Sequence, residues 1–69
     1  MSATPQPGDR IRMVGTMIND PAPIPVGEEG TVREVHPGVG QIYVEWDSGR
    51  SLILLTIDPF TIIGRESDG

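Results

Sequence analysis

A chain of 69 residues with nine glycines, seven prolines and no cysteine has room for one small domain, without a disulfide or a thiolate-bound metal to stabilise it. Ten acidic residues against five arginines give a net charge of -5, which opposes nonspecific attraction to nucleic-acid phosphates. The composition therefore excludes a second domain within this chain, a disulfide scaffold and a basic nucleic-acid-binding tail.

The N-terminal segment, MSATPQP, contains neither a basic region nor an apolar run. It therefore predicts neither a signal peptide nor a membrane anchor, and no later run reaches membrane-spanning length. We expect a cytoplasmic protein that does not bind a membrane. Residues 1–7 and 65–69 are expected to be flexible tails on either side of one domain over residues 8–64.

The first predicted element is a strand over DRIRMV, at residues 9–14. Side chains alternate between the two faces of a strand, so Ile11 and Met13 share one face while Arg10 and Arg12 share the other. This pattern predicts a strand with one face in the core and one face in solvent.

A proline-rich segment follows at residues 15–29, GTMINDPAPIPVGEE. Its three prolines cannot donate to a strand ladder, so we expect a long ordered loop or an edge segment. Met17, Ile24 and Val26 are the apolar side chains expected to hold the inner side of this loop against the core.

The second and third predicted strands are GTVREV at residues 30–35 and QIYVEW at residues 41–46. Val32 and Val35 fall on opposite faces of a regular strand, which predicts a β-bulge or a sharp bend between them. In the third strand the inward side chains are Ile42, Val44 and Trp46, and we expect the tryptophan to close one end of the core.

The loop Asp47-Ser48-Gly49 joins the third strand to a fourth strand, RSLILL. We predict a three-residue loop with Gly49 at positive φ as a bulge, because glycine adopts that conformation at the least cost. This register places Leu52 and Leu54 in the core and leaves Ile53 outside.

The last segments complete the predicted fold. TIDP predicts a tight corner with one turn of 3₁₀ helix, and FTII predicts a short fifth strand with Phe60 and Ile62 on the core face. Five short strands with a long Pro-rich loop after the first are typical of an all-β, small five-stranded SH3-like barrel.

The segments GDRIRM, DPAPIPVGEEGTV and GQIYVEWDSGRSLILL, followed by DPF, are similar to a small bacterial and phage family, domain of unknown function 4314. The resemblance covers about residues 8–60. It implies an association with phages and mobile elements, and it supplies no catalytic or ligand-binding residue.

A second resemblance, carried by GDRIRM and GEEGTVREV, is to the KOW motif of transcription and ribosomal proteins. It implies a nucleic-acid-binding barrel using Arg10, Arg12 and Arg33. Glu28-Glu29 stands where such proteins usually carry a basic residue, so nucleic acid is not the expected partner. A third alternative is an acidic mimic of nucleic acid that inhibits a DNA-binding protein, which requires the acidic side chains on one face.

We expect no enzyme activity, because the sequence offers no cysteine, one histidine and no paired nucleophile and base. His36, Asp47 and Asp58 occur in turn sequences and are interpreted as turn residues. Glu28 and Glu29 are adjacent and point in different directions, so we interpret them as solvated. We therefore predict no catalytic residue, no metal site and no cofactor.

The most favoured function is a small non-catalytic module that binds another protein, in a phage, mobile-element or bacterial cytoplasmic setting. The alternation that buries one face of the sheet must turn apolar side chains outward on the other, and patches of such residues tend to be contact sites. Self-association as a homodimer is one form of this contact. The predicted contact residues are Tyr43, Ile53, Leu55 and Ile63, flanked by Pro23 and Ile24 of the proline-rich loop.

Overall fold

The structure is a computed structural model that describes residues 4–16 and 23–65. Its described part contains one short 3₁₀ turn, Pro37–Val39, and five strands: β1 (Asp9–Met13), β2 (Glu29–His36), β3 (Gln41–Trp46), β4 (Ile53–Leu55) and β5 (Phe60–Arg65). The strands form one antiparallel sheet in the order β4-β3-β2-β1-β5. The all-β prediction is confirmed, whereas the sheet is open within the described residues, with β4 and β5 at its edges.

The alternation of β1 is as predicted. Ile11 and Met13 are fully buried, while Arg10 and Arg12 lie on the outer face. These two buried residues form one contiguous core with six apolar residues from the loop and the other strands. The buried apolar residues are Ile11, Met13, Ile24, Val32, Ile42, Val44, Trp46 and Leu54.

The described part of the proline-rich loop only partly follows the prediction. Ile24 is fully buried, as expected, but Val26 is exposed. The Glu28 amide donates to the Pro25 carbonyl at 3.1 Å, which makes Val26 a central residue of a tight turn and directs it away from the core. Met17 lies outside the described residues, so its predicted position is not described.

The predicted bulge in β2 is present. Val32 pairs with Val44, and the register shifts by one residue before Glu34, which pairs with Tyr43. Arg33 is therefore the additional residue of the bulge. The shift lets Val32 stay in the core and Val35 pack against it from a half-buried position.

The β3-to-β4 hairpin has the predicted three-residue loop. The Gly49 amide donates to the Trp46 carbonyl at 2.9 Å, and the Trp46 amide donates to the Arg50 carbonyl at 3.4 Å. Gly49 has φ of +91°, the left-handed conformation that its position in the bulge requires. The turn chemistry of the sequence was therefore sufficient to specify this loop.

The strand register that follows is also confirmed. Ile42 pairs with Leu54, which is fully buried, while Ile53 points outward. Leu52 is half-buried against the core, and its carbonyl accepts a hydrogen bond of 3.0 Å from the indole Nε1 of the buried Trp46.

The C-terminal segment differs from the prediction in three respects. The corner before β5 is a turn closed by Asp58, whereas the 3₁₀ turn lies at Pro37–Val39. β5 extends to Arg65, whose Nη1 donates to Asp9 at 2.9 Å. Ile62, expected in the core, is 36% exposed because β5 is an edge strand with only β1 beside it.

Candidate functional site

Three exposed apolar side chains come together on the outer face of β3 and β4. Tyr43 pairs directly with Ile53, and Leu55 is the next outward residue along β4. Their exposed fractions are 39%, 41% and 40%, respectively. We call Tyr43, Ile53 and Leu55 the Tyr43 patch. Alternation from the buried neighbours in both strands places all three on the same face.

The patch extends onto β2 through His36. The His36 and Tyr43 rings make an edge-to-face contact with centroids 5.1 Å apart. His36 Nε2 also lies 3.0 Å from Glu34 Oε1. His36 thus links Glu34 to the phenol ring at the edge of the patch.

A groove of about 490 Å³ adjoins the patch. Tyr43, Val44, Leu52 and Ile53 line its apolar part, and the ion pair Arg33–Glu45, with 2.8 Å between Nε and Oε1, lines its polar part. A second hollow of about 390 Å³ lies next to the hairpin loop and shares this ion pair.

Two of the other predicted contact residues, Ile63 and Ile24, do not join this surface. Ile63 is 40% exposed, but it lies on β5, and two strands separate β5 from β3 in the sheet order. Ile24 is fully buried, so its side chain is part of the core and cannot form a contact surface in this fold. Pro23 is half-buried, and its carbonyl accepts a hydrogen bond of 3.2 Å from Arg50.

The arginines of the predicted nucleic-acid stripe lie beside acidic residues. Arg10 binds both carboxylate oxygens of Asp47, at 2.8 and 2.7 Å, and also donates to Glu29 at 3.2 Å and to Thr31 at 3.0 Å. Arg12 donates to the same Glu29 at 3.1 Å. The network ties β1, β2 and the hairpin loop together.

This network sets the ionisation of its members. Hydrogen bonds from Arg10, assisted by its positive charge and opposed by partial desolvation, hold the pKa of Asp47 below its usual value. The hydrogen bonding between Arg10 and Asp47 is also the largest cause of the raised pKa of Arg10, and partial desolvation opposes this rise. Both groups are therefore charged at neutral pH.

The adjacent acidic residues Glu28 and Glu29 make separate contacts within the fold. Glu28 accepts a hydrogen bond of 2.9 Å from the Ser48 amide in the hairpin loop. Glu28 and Glu29 thus point towards different partners, as their adjacency predicted, but the interpretation of both as solvated was wrong, because Glu29 is bound by Arg10 and Arg12. Within the described ranges, no group of three or more His, Asp or Glu residues is placed to hold a metal ion. Those ranges also contain no helix long and apolar enough to cross a membrane.

A family sequence model for a domain of unknown function, DUF4314, matches residues 3–63. The chain belongs to the DUF4314 family. The match includes every residue of the Tyr43 patch and of the arginine network. No curated protein and no solved structure matches the chain.

Two carboxylates border the Tyr43 patch of this DUF4314 domain. Glu34 opposes Tyr43 from β2, and its side chain is 65% exposed. Asp58 follows β4 and accepts a hydrogen bond of 2.9 Å from the Leu55 amide. Sequence reasoning assigned Asp58 to a turn and missed its position beside the patch, because that position depends on how the turn folds back onto β4.

Both edges of the DUF4314 sheet carry features that oppose further strand pairing. Asp58 occupies the Leu55 amide with its carboxylate, and its own amide donates to the Leu55 carbonyl at 2.9 Å. In β5 the pairing with β1 passes from Ile62 to Gly64, so Ile63 is the additional residue of a β-bulge at that edge. Such devices discourage strand addition, so the outer face is the better candidate contact surface.

Proposed function

We propose that this chain is a small non-catalytic module that binds another protein through the Tyr43 patch and the adjoining groove. The observation that carries this proposal is the grouping of three exposed apolar side chains on adjacent strands, beside a groove of about 490 Å³. Apolar groups held together at a surface favour contact with a partner, because their burial releases water.

The proposal also assigns the chain to a more specific fold than an open sheet, namely a small SH3-like barrel. The order β4-β3-β2-β1-β5, with a bulge in β2, is the arrangement that would let the sheet coil into a small SH3-like barrel. The setting we propose is a phage, a mobile element or the bacterial cytoplasm, as the resemblance to the family implies.

Nucleic-acid binding is the weaker alternative. A phosphate group would have to displace Asp47 or Glu29 from Arg10, and Glu45 from Arg33. Losing these charge-assisted hydrogen bonds would offset much of the gain from phosphate contacts. Because acids and arginines alternate on this face, it also lacks the continuous acidic surface that a nucleic-acid mimic would need.

The experiment compares three baits in affinity capture from lysate of the source cell, with quantitative mass spectrometry: the wild type, Ile53→Ser and Ile63→Ser. Both substitutions replace an isoleucine by serine, and the two isoleucines are 41% and 40% exposed, respectively. Circular dichroism checks that each variant is folded. Any protein captured is then purified and its affinity for the three baits is measured directly.

The proposal predicts that the captured protein binds the wild type and Ile63→Ser alike, and binds Ile53→Ser about tenfold more weakly or worse. A loss of that size is typical for truncating a central contact residue of an interface. Equal binding to all three baits, or a loss confined to Ile63→Ser, would place the contact elsewhere and contradict the proposal.

A further inference from the structure

The margin of the Tyr43 patch carries net negative charge. Glu34 lies on its β2 side and Asp58 lies beyond its β4 side. Glu34 Oε1 lies 3.0 Å from His36 Nε2. Among the described residues, the remaining charges next to the groove, Arg33 and Glu45, pair with each other.

An apolar surface between two carboxylates has a complementary ligand chemistry. Apolar groups of the ligand would cover the patch, and cationic groups on both sides would meet Glu34 and Asp58. Charge complementarity of this kind contributes more to the association rate and to specificity than to affinity. The overall charge of -5 acts in the same direction, because it attracts cationic segments over a longer range.

We propose that the ligand of the Tyr43 patch is an extended peptide segment with an apolar centre and an arginine or lysine on each side. This inference rests on the proposed function and specifies the partner of the same site. Strands are about 4.8 Å apart, so the path from β2 to beyond β4 spans roughly 10–15 Å. An extended peptide covers about 3.3 Å per residue, which places the two cationic residues about three to five positions apart.

A second copy of the chain is a poorer occupant. In a two-fold contact each copy presents the same surface, so Glu34 and Asp58 of one copy would approach acidic groups of the other. Like charges in a desolvated contact are destabilising. Strand pairing between copies is opposed by Asp58 on β4 and by the bulge at Ile63 on β5.

The test uses a displayed library of random dodecapeptides, selected on immobilised wild type after depletion on Ile53→Ser. We expect the enriched peptides to contain an aromatic or aliphatic centre between two arginines or lysines. Synthetic copies of these peptides should bind several-fold more weakly in 500 mM than in 50 mM NaCl, because salt screens the charged contacts.

Charge variants test the assignment of the two carboxylates. The double substitution Glu34→Gln and Asp58→Asn should weaken binding of the selected peptides about fivefold or more. Asn at position 58 retains an oxygen that can accept the Leu55 hydrogen bond. Glu28→Gln removes one negative charge at the hairpin loop and serves as the control, for which we expect unchanged affinity.

The outcomes separate this inference from the proposed function. Neutral or acidic peptides that still require Ile53 would overturn the cationic assignment and leave the docking surface in place. Peptides that bind Ile53→Ser equally well, or the absence of any Ile53-dependent peptide, would contradict the docking surface itself. Analytical ultracentrifugation in 50 and 500 mM NaCl should find a monomer, and a dimer abolished by Ile53→Ser would show that the occupant is a second copy.

Discussion

At the scale of single residues, Gly30 controls how closely β2 approaches β3. A Cβ atom at this position would lie 2.7 Å from Val44 Cγ1 and 2.9 Å from Trp46 Cε3. It would also lie 3.0 Å from the backbone oxygen of Glu45, which cannot rotate away. The absence of a side chain at Gly30 therefore leaves room for Val44 and Trp46 beside the second strand.

We predict that Gly30→Ala lowers the free energy of unfolding by about 1–3 kcal/mol, the usual cost of adding an atom to a filled core. Gly38→Ala is the matched control, because nothing lies within 4 Å of a Cβ atom there. It should change the free energy by less than about 0.5 kcal/mol. Urea unfolding followed by tryptophan fluorescence measures both, and equal effects of the two substitutions would refute the packing argument.

The ion pair of Asp47 with Arg10 predicts how the stability of the fold depends on pH. Its pKa is lowered in the folded chain by hydrogen bonds from Arg10, so its ionised form stabilises the fold above the ordinary value of 3.8. That contribution is lost as the pH falls below about 4, through the lowered pKa of the folded state. Asp47→Asn should therefore unfold at lower urea than the wild type at pH 7.

The control for this prediction is the difference between wild type and Asp47→Asn across pH, since other carboxylates titrate in both proteins. The difference in urea midpoint should shrink as the pH is lowered from 5 towards 2. A difference that stays constant over this range would show that Asn at this position acts through packing or turn geometry and not through the ion pair.

At the scale of elements, the β3-to-β4 hairpin illustrates what a local pattern can specify. Alternating side chains and the loop Asp47-Ser48-Gly49 determine which face of each strand is apolar, and both signals are contained in adjacent residues. The predicted bulge in β2 is of the same kind. The residues of the Tyr43 patch were predicted by this alternation.

Features that depend on distant neighbours were not predicted correctly. Ile62 has the alternation of a core residue, but whether its face is covered depends on which strand lies beyond β5. Ile63 was grouped with Tyr43 because both point outward, whereas the sheet order separates their strands. Val26 was assigned to the core from its apolar character, and the turn over Pro25 to Glu28 directs it outward.

The hairpin register predicts that replacing isoleucine by valine changes the free energy of unfolding by different amounts at Ile42 and at Ile53. Ile42→Val removes a methylene group from the core and should lower the free energy of unfolding by about 0.5–1.5 kcal/mol. Ile53→Val makes the same change on the outer face and should cost less than about 0.5 kcal/mol. Urea unfolding decides the question, and a larger effect at Ile53 would reverse the assignment of the two faces.

At the scale of the whole molecule, charge and topology favour the outer face as a contact surface. The net charge of -5 and the ion pairs of Arg10, Arg12 and Arg33 leave little positive potential for a phosphate backbone. The two sheet edges are modified against strand addition. The Tyr43 patch, in contrast, combines exposed apolar groups with an acidic margin.

We predict that the chain binds generic duplex DNA at physiological salt more weakly than about 10⁻⁴ M, the weak end of nonspecific affinities. Fluorescence anisotropy with a labelled duplex measures this, and a titration in low salt controls for weak electrostatic attraction. Micromolar affinity at physiological salt would favour the arginine stripe as the functional surface instead.

The central claim, that the Tyr43 patch and its groove dock a cationic apolar segment, is tested most directly by NMR. The ¹⁵N-labelled chain is titrated with a selected library peptide, and the amide shift changes are mapped onto the sequence. The account predicts changes concentrated at residues 34–36, 41–45 and 51–58. Changes concentrated on β5, or around Arg10 and Arg12, would contradict it.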